Sequence, residues 1–74
     1  MKALNNQAKA GEEITILSVD AMGGDLGPGA VVAGLERAAL KNPQLGFILH
    51  GDIVQLKPLV ARRKHLAARC DIRD

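Results

Sequence analysis

A glycine-rich segment at residues 20–29 holds the residues of this chain that are best suited to chemistry. Its sequence, DAMGGDLGPG, contains four glycines and a proline, a composition that neither a helix nor a strand tolerates. Three of these four glycines can bring backbone amides close to an anion such as phosphate: Gly23, Gly24 and Gly27. The segment therefore predicts an anion-binding loop, and an ordinary glycine-rich turn is the alternative.

Two carboxylates in the same segment argue against a passive phosphate cradle. Asp20 and Asp25 would repel an anion unless they bind a metal, accept hydrogen bonds or handle protons. Their position in the sequence leaves these three roles open. We therefore treat both as candidate catalytic residues.

The segment matches neither of the generic nucleotide-binding fingerprints. A P-loop needs Lys and then Ser or Thr after its last glycine, whereas Ala30 and Val31 follow Gly29. A dinucleotide fingerprint begun at Gly27 meets Val32 where its last glycine should stand. The residues alone thus indicate an anion-binding loop of no standard nucleotide class.

A second polar group follows the next predicted strand. Because the carboxyl ends of parallel strands share one edge of a sheet, Gly51 and Asp52 are predicted to line the same cleft as the first loop. Asp52 as a helix cap, paired with Gln55, is an equally good interpretation. His50 could act as an acid or base near neutral pH, but it has no evident partner and a structural role is favoured.

The elements that would position these residues alternate between strand and helix. Apolar runs at residues 14–19 and 46–50 predict two parallel strands buried on both faces. Three-to-four apolar spacing predicts a helix at residues 30–41 and another that follows Asp52 and carries apolar residues as far as Ala67, with a kink or restart near Pro58. This order indicates an α/β fold, the strand-helix-strand-helix portion of a three-layer Rossmann-like parallel-sheet domain. We expect the chain to end before a third strand begins, which would leave the domain incomplete.

Composition and charge set further limits. A chain of 74 residues, 47% hydrophobic and 24% charged, forms one domain at most, and its single aromatic residue, Phe47, implies a thin core. One cysteine, Cys70, excludes an internal disulfide and favours a reducing cytoplasm; we expect it at the end of a helix as a small apolar residue. The sequence contains no apolar run of membrane-spanning length and no signal-peptide pattern. Residues 1–13 are predicted to form a flexible leader, which is followed by a domain at residues 14–74.

Basic residues are concentrated near the end of the chain. The stretch comprises Arg62, Arg63, Lys64, His65 and Arg69. A net charge of +2 is too small to indicate a nucleic-acid binder. The stretch could dock an acidic protein, although a solvated helix face is the favoured interpretation.

Two motifs carry a resemblance to a known family. The sequence VDAMGGDLGP at residues 19–28 resembles the opening signature of the PlsX-type phosphate acyltransferases of bacterial phospholipid synthesis, and LHGD at residues 49–52 is similar to the end of the family's second strand. The resemblance covers about two thirds of the chain. Leu26 stands where members often carry histidine, and the leader before Ile14 is longer than the family's usual start.

The resemblance implies an enzyme that moves a fatty acyl group from acyl carrier protein onto inorganic phosphate, giving acyl phosphate for phosphatidic acid synthesis. It implies no organic cofactor, no nucleic acid and no assigned metal. It also implies a homodimer at full length, a downstream glycerol-3-phosphate acyltransferase in the membrane, and a cytoplasmic location with peripheral contact to the inner membrane. We expect the 74-residue chain to be inactive alone, because most of such an enzyme would lie in absent sequence.

For that reaction the resemblance implies roles for the residues named above. The backbone amides of Gly23, Gly24 and Gly27 would donate hydrogen bonds to phosphate, and Gly51 and Asp52 would lie nearby. Asp20 and Asp25 would orient groups or handle protons. Pro28 would stiffen the loop. Two other hypotheses remain: a non-catalytic anion-binding or assembly module from a truncated gene, and a small basic nucleic-acid binder. The last is the weakest, because the chain has no nucleic-acid-binding motif.

Overall fold

The computed structural model describes residues 13–74, which form three strands and three helices, with one helix between the first two strands and two helices between the last two. The strands are β1 (Thr15–Asp20), β2 (Leu45–His50) and β3 (Cys70–Arg73). The helices are α1 (Pro28–Lys41), α2 (Ile53–Ala61) and α3 (Lys64–Ala67). The predicted leader, apart from Glu13, lies outside the described residues.

The three strands form one parallel sheet in the order β1-β2-β3. Their register places Asp20 opposite His50 and His50 opposite Arg73, so these residues end the three strands at one edge. The predicted fold class is confirmed: the described residues form a small α/β domain with a parallel sheet, consistent with an incomplete Rossmann-like domain.

The prediction that the chain ends before a third strand is wrong. β3 pairs with β2 over residues 70–73, and the N–H of Gly51 donates to the carbonyl of Arg73 at 2.9 Å. The sequence CDIR is too short, and too evenly divided between apolar and charged residues, to give a strand signal. Cys70 opens this strand and is not at a helix end, and burial, with the charge of Asp71 adding to it, raises the pKa of its thiol to about 11.

The core lies between the sheet and the helices on one face. Both crossovers step in the same direction across the sheet, and right-handed crossovers of this kind place their helices on the same face. Phe47 and Leu49 of β2 are fully buried there. The buried residues that pack with them come from every helix: Val32, Ala39, Leu56, Val60 and Leu66. The opposite face of the sheet is covered by none of these three helices.

β1 is not buried on both faces, contrary to the prediction. Ile16 is 43% exposed and Leu17 is 38% exposed, although they lie on opposite faces of the strand. The cause is the position of β1 at the edge of the sheet formed by residues 13–74. β2 fits the prediction better, because it lies between two strands and its Gly46, Phe47 and Leu49 are buried.

The single helix predicted to follow Asp52 is in fact two helices. α2 continues through Pro58 to Ala61, and the interruption falls later, at residues 62 and 63. Pro58 cannot donate to the carbonyl one turn earlier, yet α2 accommodates the loss of this one hydrogen bond. α3 then begins where a carboxylate from α1 accepts its first amides.

That carboxylate belongs to Glu36. It accepts the N–H of Leu66 at 2.7 Å and the N–H of His65 at 3.3 Å, and the ring Nδ1 of His65 lies 3.0 Å from it. α3 has no side-chain cap of its own, so Glu36 supplies one from α1. Burial would raise the pKa of Glu36, but the hydrogen bonds from Leu66 and His65, together with the nearby imidazole, lower it overall.

Arg69 does not belong to an exposed basic stretch, as the sequence predicted. Its side chain is buried, with 7% of the residue exposed, and its guanidinium donates to the carbonyls of Asn42 and Leu45, both at 2.9 Å, and of Ala39. These three acceptors lie at the end of α1 and the start of β2. Arg69 therefore ties the last crossover to the first one.

Candidate functional site

The predicted site residues lie at the edge of the sheet where the three strands end. β1 leads into the loop at residues 21–27, which runs to the N-terminus of α1, and β2 leads through Gly51 into α2. We call these connections the first junction (residues 20–28) and the second junction (residues 50–53). In parallel α/β sheets ligands bind beyond this edge, where helix N-termini present their amides.

Asp20 shapes the first junction from within. Its Oδ1 accepts the N–H of Met22 at 3.0 Å, which folds the chain back beside the end of β1. A Cβ at Gly23 would lie 2.9 Å from the Oδ2 of Asp20, so the carboxylate occupies the space that a side chain there would need. The structure thus places Asp20 as a group that orients the loop.

The first junction ends in an uncapped helix. Gly27 precedes α1 with φ 86° and ψ 173°, a backbone conformation that only glycine adopts readily, and no side chain caps the helix. Pro28 has no N–H, and the first helical hydrogen bond runs from Val31 to the carbonyl of Gly27. The N–H groups of Gly29 and Ala30 therefore have no acceptor within residues 13–74, and the first turn contains no acidic residue.

The middle of the first junction is exposed. The N–H of Gly27 donates to the carbonyl of Gly24 at 3.2 Å, which closes a turn around Asp25 and Leu26. Leu26 is 87% exposed, and the carboxylate of Asp25 accepts no hydrogen bond from any of residues 13–74. Of the two predicted acidic groups, Asp20 is engaged by the loop and Asp25 is available to a ligand.

At the second junction the side chain of Asp52 caps the N-terminus of α2. Asp52 accepts the N–H of Val54 at 2.9 Å and the side-chain amide of Gln55 at 3.0 Å. The hydrogen bond from the Gln55 side chain, followed by that from the Val54 amide, lowers the pKa of Asp52. The capping interpretation of Asp52 is confirmed, and Gln55 donates to the carboxylate rather than bonding the Asp52 backbone.

The two junctions touch at Gly51. A Cβ at this position would lie 2.6 Å from Cγ of Met22 and 3.1 Å from Cδ1 of Leu56. The absence of a side chain at Gly51 therefore lets Met22 of the first junction pack against the start of α2. The N–H of Ala21 also donates to the carbonyl of His50 at 2.9 Å. The structure thus brings the two predicted motifs together, as their shared edge required.

His50 has a partner that the sequence analysis missed. Its Nε2 lies 2.7 Å from Oγ of Ser18, two residues before the end of β1. Both residues point to the face of the sheet that the helices leave uncovered. Only the strand register could have revealed this contact, because the two residues are far apart in the sequence.

The basic stretch lies away from both junctions. α2 starts at the second junction and runs for about 13 Å toward the end of the sheet at which the strands begin. The exposed residues Arg62, Arg63 and Lys64 follow the end of this helix. His65 is paired with Glu36, and Arg69 is buried. The exposed part of the stretch is therefore three residues long and is not placed beside the loop.

No helix within residues 13–74 is both long and apolar enough to cross a membrane. In the same residues no group of three or more His, Cys, Asp and Glu side chains is arranged to hold a metal ion.

Comparison with known proteins identifies relatives of this chain. The family model described as "Fatty acid synthesis protein" matches residues 15–74. The chain is 62% identical over 60 residues to a phosphate acyltransferase of Ruegeria sp. (strain TM1040), a match that covers 81% of this chain and 16% of the relative.

Two other relatives match along the whole chain. These are phosphate acyltransferases of Roseobacter denitrificans, 50% identical, and Ruegeria pomeroyi, 53% identical, each aligned over 74 residues. Residues 1–13, which the sequence analysis set apart from the family pattern, are thus included in both matches. The chain spans 21% and 20% of these two relatives, about a fifth of their length. No solved structure matches the chain.

Proposed function

The chain belongs to the phosphate acyltransferase (PlsX) family of fatty acid synthesis proteins, and we propose that it supplies the phosphate-binding loop for transfer of a fatty acyl group to inorganic phosphate. The acyl donor would be acyl carrier protein, and the acyl phosphate formed would enter phosphatidic acid and phospholipid synthesis. Homodimer formation, supply of product to a membrane glycerol-3-phosphate acyltransferase, and a cytoplasmic location with peripheral membrane contact belong to the same proposal.

The uncapped N-terminus of α1 is the observation that carries this proposal. The N–H groups of Gly29 and Ala30 lack acceptors within residues 13–74, and the glycine-rich loop presents further amides at Gly23 and Gly24. A phosphate oxygen placed there would receive several backbone hydrogen bonds and the favourable field of a helix of 14 residues. No side chain of the first turn competes for these amides.

The reaction itself needs an oriented anion and a place for one proton. An oxygen of hydrogen phosphate would attack the thioester carbonyl carbon, the carbon–sulfur bond would break, and the proton of hydrogen phosphate would end on the departing thiol. Holding phosphate in one orientation removes much of the entropic cost of this attack. The loop amides would do this without changing their own positions.

Asp20 and Asp25 would have different roles in this reaction. Asp20 accepts the N–H of Met22 and so holds the loop in the shape that exposes its amides. Asp25 has no hydrogen-bond partner within residues 13–74 and stands at the exposed tip of the loop. We therefore assign proton handling to Asp25 and loop orientation to Asp20.

A chimera tests the proposal. The chain would replace the segment of the Ruegeria pomeroyi phosphate acyltransferase to which all of its 74 residues align. We expect phosphate-dependent release of free thiol from acyl carrier protein thioesters by the chimera, and none by the 74-residue chain. A folded chimera that releases no thiol, while the parental relative does, would refute the proposal.

A non-catalytic anion-binding module is the second candidate function. The observation that favours it is the uncapped N-terminus of α1, which can hold an anion without any catalytic group. Both hypotheses expect the chain alone to bind phosphate. Only the acyltransferase proposal expects thiol release by the chimera, so the same assay separates them.

A further inference from the structure

His50 ends β2 at the edge of the sheet where both junctions lie, and the roles assigned so far leave it unused. Its backbone carbonyl accepts the N–H of Ala21 at 2.9 Å, so the residue is bonded directly to the first junction. In the strand register it lies between Asp20 of β1 and Arg73 of β3. An imidazole is therefore placed among the residues of the candidate site, and imidazole is the side chain that most often transfers protons in enzymes.

The imidazole of His50 is held by the neighbouring strand. Its Nε2 lies 2.7 Å from Oγ of Ser18, at the short end of the usual range for a hydrogen bond. Its other ring nitrogen, Nδ1, has no hydrogen-bond partner within residues 13–74. Arg73 does not compete for the ring, because its side chain is paired with Asp71 at 2.9 Å. A hydrogen bond to one nitrogen orients an imidazole and leaves the second nitrogen for a ligand.

His50 and the amides that would hold phosphate lie on different sides of the sheet edge. α1 packs on the face where Phe47 and Leu49 are buried. The side chains of His50 and Ser18 lie on the opposite face, because successive residues of a strand alternate. A thioester that bridges this edge would meet phosphate on the side of α1 and would present its sulfur on the side of His50.

We propose that His50 is a catalytic residue that gives a proton to the departing sulfur, and that Ser18 is its positioning residue. The inference rests on the reaction proposed above and adds to it a group on the side of the leaving thiol.

The proton transfer follows from the arrangement of the ring. In the charged imidazole, Nε2–H donates to Oγ of Ser18, which leaves Nδ1–H for the sulfur. As the carbon–sulfur bond breaks, its electron pair stays on sulfur, and the sulfur takes the proton of Nδ1. The proton that hydrogen phosphate loses passes to Asp25 and returns to His50 through water. One proton thus moves from phosphate to thiol in each cycle, and both side chains return to their starting states.

The first test replaces the ring in the chimera described above. His50→Gln keeps an amide that can bond Oγ of Ser18 but carries no transferable proton, so it separates a catalytic role from a structural one. We expect kcat for thiol release to fall about a hundredfold, with little change in KM or in melting temperature. His65→Gln is the matched control, because His65 is an exposed histidine paired with Glu36 away from both junctions. We expect this control to leave kcat unchanged.

The second test concerns the positioning residue. Ser18→Ala removes the hydroxyl that holds the ring, and we expect kcat to fall about tenfold with KM unchanged. Ser18→Thr keeps a hydroxyl at the same place and should retain the rate of the unmutated chimera. In the ¹⁵N-labelled 74-residue chain, the chemical shifts of the His50 ring nitrogens should change in Ser18→Ala and stay near their original values in Ser18→Thr.

The results that would overturn the inference differ for the two residues. Full kcat in His50→Gln, or equal losses in His50→Gln and His65→Gln, would exclude the catalytic role. Ring-nitrogen shifts that do not respond to Ser18→Ala, or a Ser18→Thr variant as slow as Ser18→Ala, would exclude the positioning role. An unmutated chimera that releases no thiol would refute the proposed reaction together with this inference, whereas an active chimera that tolerates His50→Gln would refute this inference alone.

Discussion

The two connections from strand to helix at the same edge of the sheet differ in how they treat the N-terminus of the helix that follows. Each must lead the chain into a helix whose first amides lack partners. At the second junction Asp52 accepts the amide of Val54 and the side chain of Gln55, and this closes the N-terminus of α2. At the first junction Gly27 offers no side chain, and the N-terminus of α1 stays open.

This difference favours the first junction over the second as the place where a ligand binds. A carboxylate that already caps a helix both fills the anion site and repels an incoming anion. Asp52 is such a group, which favours its structural interpretation over a direct place in the cleft. The second junction contributes through Gly51 instead, because the missing side chain there makes room for Met22 of the first junction.

The largest expected effect comes from the exposed carboxylate of the first junction. In the chimera, Asp25→Ala should lower phosphate-dependent thiol release by about a hundredfold or more, as expected for loss of a proton-handling group. Asp52→Ala is the matched control, and we expect it to change the rate only a few-fold while lowering the melting temperature. Equal losses of rate in the two variants would contradict the division of roles.

The contact between the junctions can be broken by one methyl group. Gly51→Ala places a Cβ 2.6 Å from Cγ of Met22, and we expect a loss of stability of about 1–3 kcal/mol from overpacking. Met22→Ala in the same chain should recover part of that loss, because it removes the Cγ and Sδ atoms of Met22 but leaves the contact with Cδ1 of Leu56 at 3.1 Å. Urea unfolding of the single and double variants measures both numbers, and additivity of the two changes would rule out the contact.

The conformation of Gly27, the last residue before α1, can be compared with that of Gly29 in the first turn of the helix. A Cβ at Gly27 or at Gly29 would have no atom within 4 Å, so the two positions differ in backbone conformation and not in space. Gly27→Ala should lower the free energy of unfolding by about 1–3 kcal/mol, because a backbone with φ 86° and ψ 173° is nearly restricted to glycine. Gly29→Ala should leave the free energy of unfolding unchanged or raise it. Thermal unfolding of the two variants under identical conditions makes the comparison.

The smallest effect is on acid stability. The pKa values of Asp52 and Glu36 are lowered below their ordinary values of 3.8 and 4.5, so the folded state binds protons less readily than the unfolded state. The two carboxylates therefore contribute fully to the stability of the folded state when the pH is above their ordinary pKa values. This contribution is lost as the pH falls through the lower pKa values of the folded state. Asp52→Asn should flatten the loss of stability below about pH 4, measured by urea unfolding across pH 2–6. An unchanged slope would contradict the capping role.

The sequence predicted the parts of the fold that depend on local patterns. The apolar runs indicated β1 and β2, the three-to-four spacing indicated α1, and the pairing of Asp52 with Gln55 indicated the cap of α2. The glycines of the first junction likewise marked a shaped loop.

The remaining features depend on contacts between distant residues. Arg69 looks like one more surface cation in the sequence, and only the packing of α1 against the last crossover buries it. The pair of Ser18 and His50 follows from strand register, and the break before α3 depends on Glu36 of α1. The exposure of β1 reflects its position at the edge of the sheet that residues 13–74 form, and the sequence of the strand alone does not reveal that position.

The central claim is that the first junction binds phosphate and the second does not. Titration of the ¹⁵N-labelled chain with inorganic phosphate, followed by amide chemical shifts and compared with chloride at equal ionic strength, tests it most directly. We expect saturable shifts at Gly23, Gly24, Gly29 and Ala30, with no change at Val54 and Gln55. Shifts centred on Val54 and Gln55, or equal responses to chloride and phosphate, would contradict the claim.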